Sequence, residues 1–511
     1  MAVGTFEQYK ERLLKMKPNI YIGGEVVDRS DPRMEPGMYV MRQTFDCAHD
    51  DRYKEFCTAT SHLTGETINR FTHIHHSRED LFNKQKMTKL LSHRVGGCIQ
   101  RCMGIDALNA LSVVTYEMDD ALGTDFHKRF EKYLAWSQEN DIVANCAQTD
   151  VKGDRLKRPS DQADPDMYLR VVETREDGII VRGAKSCNSA APYVDEIIVT
   201  PTRFMGPKDA AYAVSFAIPA DWPGVKLAAL PGVRHKRKHI DAPINKVGDM
   251  ESLTIFDDVF IPNDRVFMNG QADPRCTPYA GFLALMFAHF HRHSYTGCKP
   301  ATSEVIASQA ALVAEYNGIA KADHVKGKLA HIIGLAELVY AAGVASAVKA
   351  EESPSGTWIP DEILTNAGRK LAGEEIYNEN KILADLAGGL IATLPMEADY
   401  YQEKDGVGDL LHKYIMRNPE ISAENQHRCF RMIEDQMISE FGGAMIVAGL
   451  HGGGSPQMEE VAMMSRYDLE ELKGIAKYLA GIEKDIPIYD RAYVTPRKIL
   501  EKFKKQVKVP V

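Results

Sequence analysis

Tyr168-Leu-Arg-Val-Val-Glu-Thr174 and Gly178-Ile-Ile-Val-Arg-Gly183 are two short runs rich in β-branched residues, joined at Glu176-Asp177-Gly178. They read as a β-hairpin. Their weight comes from their surroundings, which are helical. Helical patterns lie at about 6–16, 50–64, 78–93, 98–118 and 124–140, with Thr124-Asp125 as a cap for the last. Residues 18–45 are rich in Pro and Gly and read as turns. Beyond the hairpin, strand-like runs follow at 194–202, 211–219, 225–229 and 253–262. Strands this short, punctuated by Pro, Gly and Asp, predict a compact barrel or sandwich. Past residue 276 the helical period returns, at about 278–294, 299–317, 322–350, 360–386, 408–416, 423–450 and 457–482. The expected fold class is mainly α with a central β domain. Its parts are a helical domain over 1–145, the β domain over 146–274, a helical bundle over 275–483 and a Lys-rich tail over 484–511.

At 511 residues the chain has material for two or three domains. A net charge of −9 argues against a nucleic-acid partner. No run of eighteen apolar residues appears, so no membrane span is expected, and Met1–Lys10 lacks the layout of a signal peptide. A cytoplasmic protein is expected. The nine cysteines are odd in number and scattered, unlike a disulfide framework. Six of them, at 47, 57, 146, 187, 276 and 429, read as packing residues.

Two remote segments carry the chemistry. Cys98 and Cys102 are four apart, which on a helix puts both sulfurs on one face. His289-Phe-His-Arg-His-Ser-Tyr-Thr-Gly-Cys298 sets His291 and Cys298 two turns apart, unless Gly297 bends the chain. Three thiolates and one imidazole make a ligand set for zinc or an iron–sulfur cluster, though the same spacing serves buried packing cysteines. Thr149-Asp150-Val-Lys152-Gly-Asp-Arg155 is a polar loop able to meet a flavin ring or phosphate, or simply solvent. In Ser439–Pro456 the glycines, Gly449 and Gly452 among them beside His451, permit close backbone approach to a diphosphate. The spacing is neither a Rossmann fingerprint nor a P-loop, and a Gly-rich helix contact followed by a turn is the other reading. Glu374-Glu375 and Glu459-Glu460 read as solvated helix faces, and His73, His75 and His76 as surface or core residues.

Helix–β–helix order, the loop at 149–155, Phe256-Asp-Asp-Val-Phe-Ile-Pro-Asn-Asp-Arg265 and the Gly-rich stretch resemble the flavin-dependent 4-hydroxyphenylacetate 3-hydroxylase superfamily. Within it, Cys98-x3-Cys102 with His291-Arg-His-Ser-Tyr-Thr-Gly-Cys298-Lys299 is similar to the 4-hydroxybutyryl-CoA dehydratase family. The resemblance implies an acyl-CoA-dehydrogenase-like fold and a homotetramer. It implies a [4Fe–4S] cluster on Cys98, Cys102, His291 and Cys298. FAD would lie close by, contacted by Thr149, Asp150, Lys152, Arg155, Ser189, Gly449, His451 and Gly452. The implied reaction takes a CoA thioester, 4-hydroxybutyryl-CoA, to crotonyl-CoA, and shifts the double bond of vinylacetyl-CoA. The β-proton that must leave is not acidified by the carbonyl, so a flavin that accepts and returns one electron carries the hard step. The cluster would bind the substrate hydroxyl as a Lewis acid. His291, Tyr295 and Lys299 are the expected catalytic side chains: a ligand or base, an aid to proton transfer and a partner for negative charge. Where relatives carry a carboxylate three residues before the histidine matching His451, this chain has Ala448, so no acid/base role carries over there. The rival readings are a two-component phenol hydroxylase without a cluster, and an iron–sulfur redox sensor or scaffold.

Overall fold

The computed structural model describes residues 3–402, 406–467 and 469–485, so the tail expected over 484–511 lies almost wholly outside the described residues. The N-terminal part holds α1 (Phe6–Leu14), α2 (Glu35–His49), α3 (Lys54–Cys57), α4 (Arg78–Val95), α5 (Cys102–Leu122) and α6 (Phe126–Glu139). It also holds β1 (Ile20–Ile22), β2 (Glu25–Val27), β3 (Thr58–Thr60) and β4 (Thr67–Asn69). The stretch read as turns thus contains two strands and a helix. Helix α4 starts where Ser77 Oγ accepts from Asp80 N and stops at left-handed Gly96 (φ 60°). Thr124-Asp125 is not the side-chain cap of α6. Asp119 takes that role, accepting from the backbone N–H groups of Phe126 and His127 at 2.9 Å.

The β domain holds β5 (Ala144–Ala147), β6 (Arg170–Thr174), β7 (Gly178–Lys185), β8 (Glu196–Val199), β9 (Val214–Pro219), β10 (Val225–Val233), β11 (Gly248–Pro262) and β12 (Val266–Asn269). They form two sheets, not a closed barrel: six strands in the order β2-β1-β10-β11-β7-β6, and four in the order β12-β9-β8-β5. The hairpin is present as the antiparallel pair β6–β7. Strands β1 and β2 extend the larger sheet, because β1 pairs parallel with β10. Alternate residues of β11, such as Met250, Ser252, Thr254 and Phe256, are buried.

The C-terminal part holds α7 (Thr277–Tyr316), α8 (Asp323–Val348), β13 (Glu351–Glu352), β14 (Trp358–Ile359), α9 (Glu362–Ala387), α10 (Glu397–Tyr400), α11 (Gly408–Ile415), α12 (Ala423–Met437), α13 (Glu440–His451), α14 (Pro456–Arg466) and α15 (Leu469–Leu479). The two helices expected over 278–317 are one helix of 40 residues, and the single helix expected over 423–450 is two. Helix α7 runs unbroken through Pro300. Proline lacks the N–H that would bond the carbonyl four residues back. That carbonyl, Thr296 O, instead accepts from Gln85 Nε2 of α4 at 3.0 Å. Gly297 lets the two helices come this close, since a Cβ there would lie 2.0 Å from Thr88 Oγ1.

Helix α7 is the spine that joins two cores. Its first turns (Tyr279, Phe282, Leu283, Met286, Phe287, Phe290) pack into one core with α5 and both sheets. Its later turns (Ile306, Ala310, Val313) join α8, α9 and α12 in a second. His291, Tyr295 and Cys298 lie on the stretch between them.

Candidate active site

Cys98 precedes α5 and does not share its helix. The chain leaves α4 at Gly96, passes Gly97 and Cys98, and turns through left-handed Gln100 (φ 61°) before α5 begins at Cys102. Flanking side chains fix this loop. Gln100 Nε2 donates to Gly248 O at 3.0 Å, and Gln100 Oε1 accepts from Tyr193 Oη at 2.7 Å. Arg101, fully buried, donates to Asp141 Oδ1 at 2.5 Å and to Thr44 Oγ1 at 3.0 Å. The two sulfurs meet through a loop, and not through the one-turn helical spacing expected.

Cys98 and Cys298 come close enough to Cys102 that their charge opposes its ionisation, and Cys298 likewise opposes that of Cys98. Burial dominates: it pushes Cys98 up to about 12 and Cys102 well above the ordinary thiol value, and it raises Cys298 despite Lys299 and Arg369 nearby. Donor atoms of Cys102, Asp106 and His291 all lie within 4.8 Å of one another. Two buried thiols and a half-buried one, with no disulfide among them and an imidazole beside Cys102, are a donor set that suits a thiophilic cation, which would offset the cost of holding thiolates here.

The sequence reading missed Asp106. It is one turn past Cys102 and wholly buried, and its Oδ2 lies 2.8 Å from His291 Nδ1. Lys84 Nζ approaches its other oxygen at 2.6 Å, and Ser294 Oγ donates to the carboxylate at 3.0 Å. Burial would raise this carboxyl, but Lys84 and His291 override it and hold it below its usual range. Proton-bearing Nδ1 faces the carboxylate, so the lone pair is on Nε2, free to bind a metal. The clue in the sequence was a carboxylate inside the apolar run Gly104-Ile-Asp-Ala-Leu-Asn-Ala-Leu.

Tyr295 meets His291 edge to face, with ring centroids 5.0 Å apart, and Phe287 stacks on the imidazole. Lys299 Nζ lies 5.3 Å from the Tyr295 ring centroid, and burial lowers its amine from the ordinary value. The Gly-rich stretch closes over the same phenol. A Cβ at Gly452 would fall 1.9 Å from Tyr295 Oη, and one at Gly453 would fall 3.5 Å from His291 Cδ2. Gly449 packs on Ile376 of α9, and His451 is exposed at the end of α13. The stretch makes a helix contact at Gly449 and then a turn. Glu459 is no solvated residue: it is fully buried, between Arg292 and Arg369.

The expected flavin loop divides. Asp150 is spent internally, accepting from Leu169 N at 2.9 Å and pairing with Lys185 Nζ at 2.9 Å. Thr149 O accepts from Ser186 N, Lys152 is half-buried with φ 77°, and Arg155 is exposed. Ser189 sits elsewhere, in a polar group the sequence reading did not assemble. Its Oγ donates to Glu251 Oε1 at 2.5 Å, and its carbonyl accepts from Asn145 Nδ2 at 2.9 Å. Asn145 Oδ1 and Glu251 Oε2 are buried acceptors with no donor among the described residues. Asn145 Oδ1 fits a ring that offers an N–H, as a flavin does, and Glu251 Oε2 stays open. Burial, with Asp249 next, pushes Glu251 up to about 7. Asp249 lies two residues along the same strand face, and its Oδ1, 2.9 Å from Tyr193 Oη, shares the single phenol proton with Gln100. The path Gln100–Tyr193–Asp249 therefore ties the cysteine loop to the strand that carries Glu251. Cys187 is exposed and is not a packing residue.

Family models described as 4-hydroxyphenylacetate 3-hydroxylase, N terminal and C terminal, match residues 5–268 and 280–481. The chain is 38% identical to a 4-hydroxybutyryl-CoA dehydratase/vinylacetyl-CoA-Δ-isomerase of Clostridium aminobutyricum, over 94% of this chain and 99% of that one. It is 29% identical to a 4-hydroxyphenylacetate 3-monooxygenase oxygenase component of Thermus thermophilus, over 86% and 89%. A solved structure of an oxygen-tolerant archaeal 4-hydroxybutyryl-CoA dehydratase from N. maritimus matches with a TM-score of 0.89 at 34% identity, over 99% of each chain. The oxygenase component of a 4-hydroxyphenylacetate 3-monooxygenase, complexed with FAD and 4-hydroxyphenylacetate, matches with a TM-score of 0.83 at 25% identity, over 94% and 100%.

Proposed function

The chain belongs to the 4-hydroxyphenylacetate 3-hydroxylase family and, within it, groups with the 4-hydroxybutyryl-CoA dehydratases; from that premise we propose that it dehydrates 4-hydroxybutyryl-CoA to crotonyl-CoA and isomerises vinylacetyl-CoA. The observation that carries this reading is the Asp106-oriented His291 within 4.8 Å of the Cys102 donor, with Cys98 and Cys298 near enough for their charge to act on Cys102. A phenol hydroxylase needs only a flavin and no such donors. These four residues would hold a [4Fe–4S] cluster, which supplies a Lewis-acidic iron for the substrate hydroxyl. Ser189, Asn145 and Glu251, with Thr149 and Lys152 at the neighbouring loop, would border FAD, which supplies reversible one-electron oxidation.

The chain's own side chains then handle protons and charge. Glu251 exchanges a proton near neutral pH and keeps one oxygen unpartnered, the two properties a general base needs. Tyr295, with its Oη against the Gly452 backbone and its ring edge to face with His291, orients the reacting end of the substrate. Lys299, with its amine turned inward over the Tyr295 ring, balances negative charge from thiolates or thioester. Tyr295 and the glycine turn keep water off that side of His291.

The proposed assembly is a homotetramer, and exposed apolar side chains support self-association. Ile333 and Leu338 of α8, Val447 of α13 and Val461 of α14 are each at least half exposed in the single chain. Light scattering of the purified protein tests this.

Anaerobic incubation with 4-hydroxybutyryl-CoA tests the activity, and crotonyl-CoA is the expected product. Protein that carries flavin but no iron or sulfide, and that hydroxylates a phenol, would overturn the reading.

A further inference from the structure

Helix α14 is inside out. Its buried side chains are Glu459, Ala462 and Arg466, while Met458, Val461 and Met464 are 52%, 55% and 54% exposed. It docks on α9 by charge. Arg466 Nε donates to Glu362 Oε2 at 2.5 Å, Glu459 Oε1 lies 3.7 Å from Arg369 Nε, and Lys370 Nζ lies 3.4 Å from Glu460 Oε1. The turn Gly452-Gly453-Gly454 enters α14, and two guanidinium groups grip it. Arg369 Nη2 donates to Gly452 O at 2.7 Å and to Leu450 O at 3.2 Å, and its Cζ lies 4.6 Å from the Tyr295 ring centroid. Arg292 Nε donates to Gly453 O at 2.8 Å, and its Nη1 donates to Asn366 Oδ1 at 2.6 Å. Two buried cations side by side repel unless an anion stands between them. Glu459 is that anion: fully buried, 3.9 Å from Arg292 and 3.7 Å from Arg369, with neither oxygen hydrogen-bonded among the described residues. It acts through charge alone.

We infer that Arg369 and Glu459 are a positioning pair that clamps the Gly452–Gly454 turn onto Tyr295, so that the phenol faces the reacting centre in one pose. The inference rests on the reading of Tyr295 as part of the active site. It explains why α14 spends its inner face on charge and not on apolar packing: the charges fix the angle of the turn, and apolar contacts would not. It also explains why residue 452 carries no side chain, since any Cβ would displace the phenol.

The test uses the holoenzyme with Arg369→Met, Arg369→Lys, Glu459→Gln, Tyr295→Phe and the Arg369→Met/Tyr295→Phe double variant. Arg369→Met is expected to lower kcat about 10- to 100-fold with KM changed less than about threefold and with iron and flavin content intact. Arg369→Lys keeps the cation and recovers part of the loss. In the Tyr295→Phe background, Arg369→Met costs less than about twofold, because the two act as a unit. Amide hydrogen exchange at Gly452–Gly454 rises about tenfold or more in Arg369→Met and in Glu459→Gln, with the α9 amides unchanged. Multiplying losses in the double variant, or unchanged exchange in the turn, overturns the clamp. Should the wild type turn over no 4-hydroxybutyryl-CoA, the proposed function falls, while the exchange data still decide whether the pair holds the turn. Glu459→Gln gives that answer if Arg369→Met does not fold.

Discussion

Asp106 Oδ2 lies 2.8 Å from His291 Nδ1, with Lys84 Nζ 2.6 Å from the carboxylate's other oxygen. The carboxylate fixes the tautomer and the ring orientation of the imidazole. Asp106→Asn keeps the shape and removes the charge, leaving Lys84 buried without its counter-ion. The expected outcome is about a 10- to 100-fold loss of iron affinity or activity. Iron determination on anaerobically purified Asp106→Asn protein, alongside wild type, checks it. Wild-type iron content and turnover would show that Asp106 does not orient the ligand.

Gln85 has one amide group serving two carbonyls, Thr296 O at 3.0 Å and Tyr340 O at 2.9 Å. The first is left without a helical partner by Pro300. Gln85→Leu strands Thr296 O, while Tyr340 O keeps its donor within α8, at a cost of about 1–3 kcal/mol. Thermal unfolding of Gln85→Leu should start several degrees lower. A double variant with Pro300→Ala, which restores an N–H for Thr296, should recover part of that loss.

The order of helical and β segments was legible in the sequence because the two hydrophobic periods differ. Boundaries were not, and the misses have physical causes. Pro300 looks like a helix end until Gln85 of another helix is known to satisfy Thr296 O. Strands β1 and β2, three residues each, form where β10 offers β1 an edge and β1 in turn offers one to β2. Cys98 and Cys102 were recognisable as a pair, but the loop that joins them depends on Gln100 reaching β11 and Tyr193, contacts 93 or more residues away. Asp106, Glu251, Arg369 and Glu459 look like ordinary charged residues in the sequence. Their roles come from burial, which a linear pattern does not record.

Cys298 is set apart from Cys429 by its surroundings. It lies beside Lys299 and Arg369 with two further thiols in range, whereas Cys429 packs among Ile433, Phe430 and other apolar side chains. Cys298→Ala should lose most of its iron and sulfide. Cys429→Ala should keep both and lose only packing, about 1–2 kcal/mol for one small side chain. Equal iron content in the two variants would remove Cys298 from the ligand set.

Glu251 gives the pH dependence. Its carboxyl is pushed up to about 7 from an ordinary 4.5, by burial first and Asp249 second. The folded value lies above the unfolded one, so the native state binds the proton more tightly. Stability from this group is complete below about pH 4.5 and is lost as pH rises toward 7. Glu251→Gln does not titrate, so its stability relative to wild type should improve between pH 5 and pH 8, by on the order of 2–3 kcal/mol. Denaturant unfolding at the two pH values measures this. Activity moves the opposite way. The carboxylate that accepts a proton forms as pH passes about 7, so wild-type kcat should climb through that range and Glu251→Gln should have no such limb. Ser189 Oγ donates to Glu251 and favours the ionised form, so Ser189→Ala should move the limb to higher pH. A limb unmoved in Ser189→Ala and still present in Glu251→Gln would assign the proton transfer to another group.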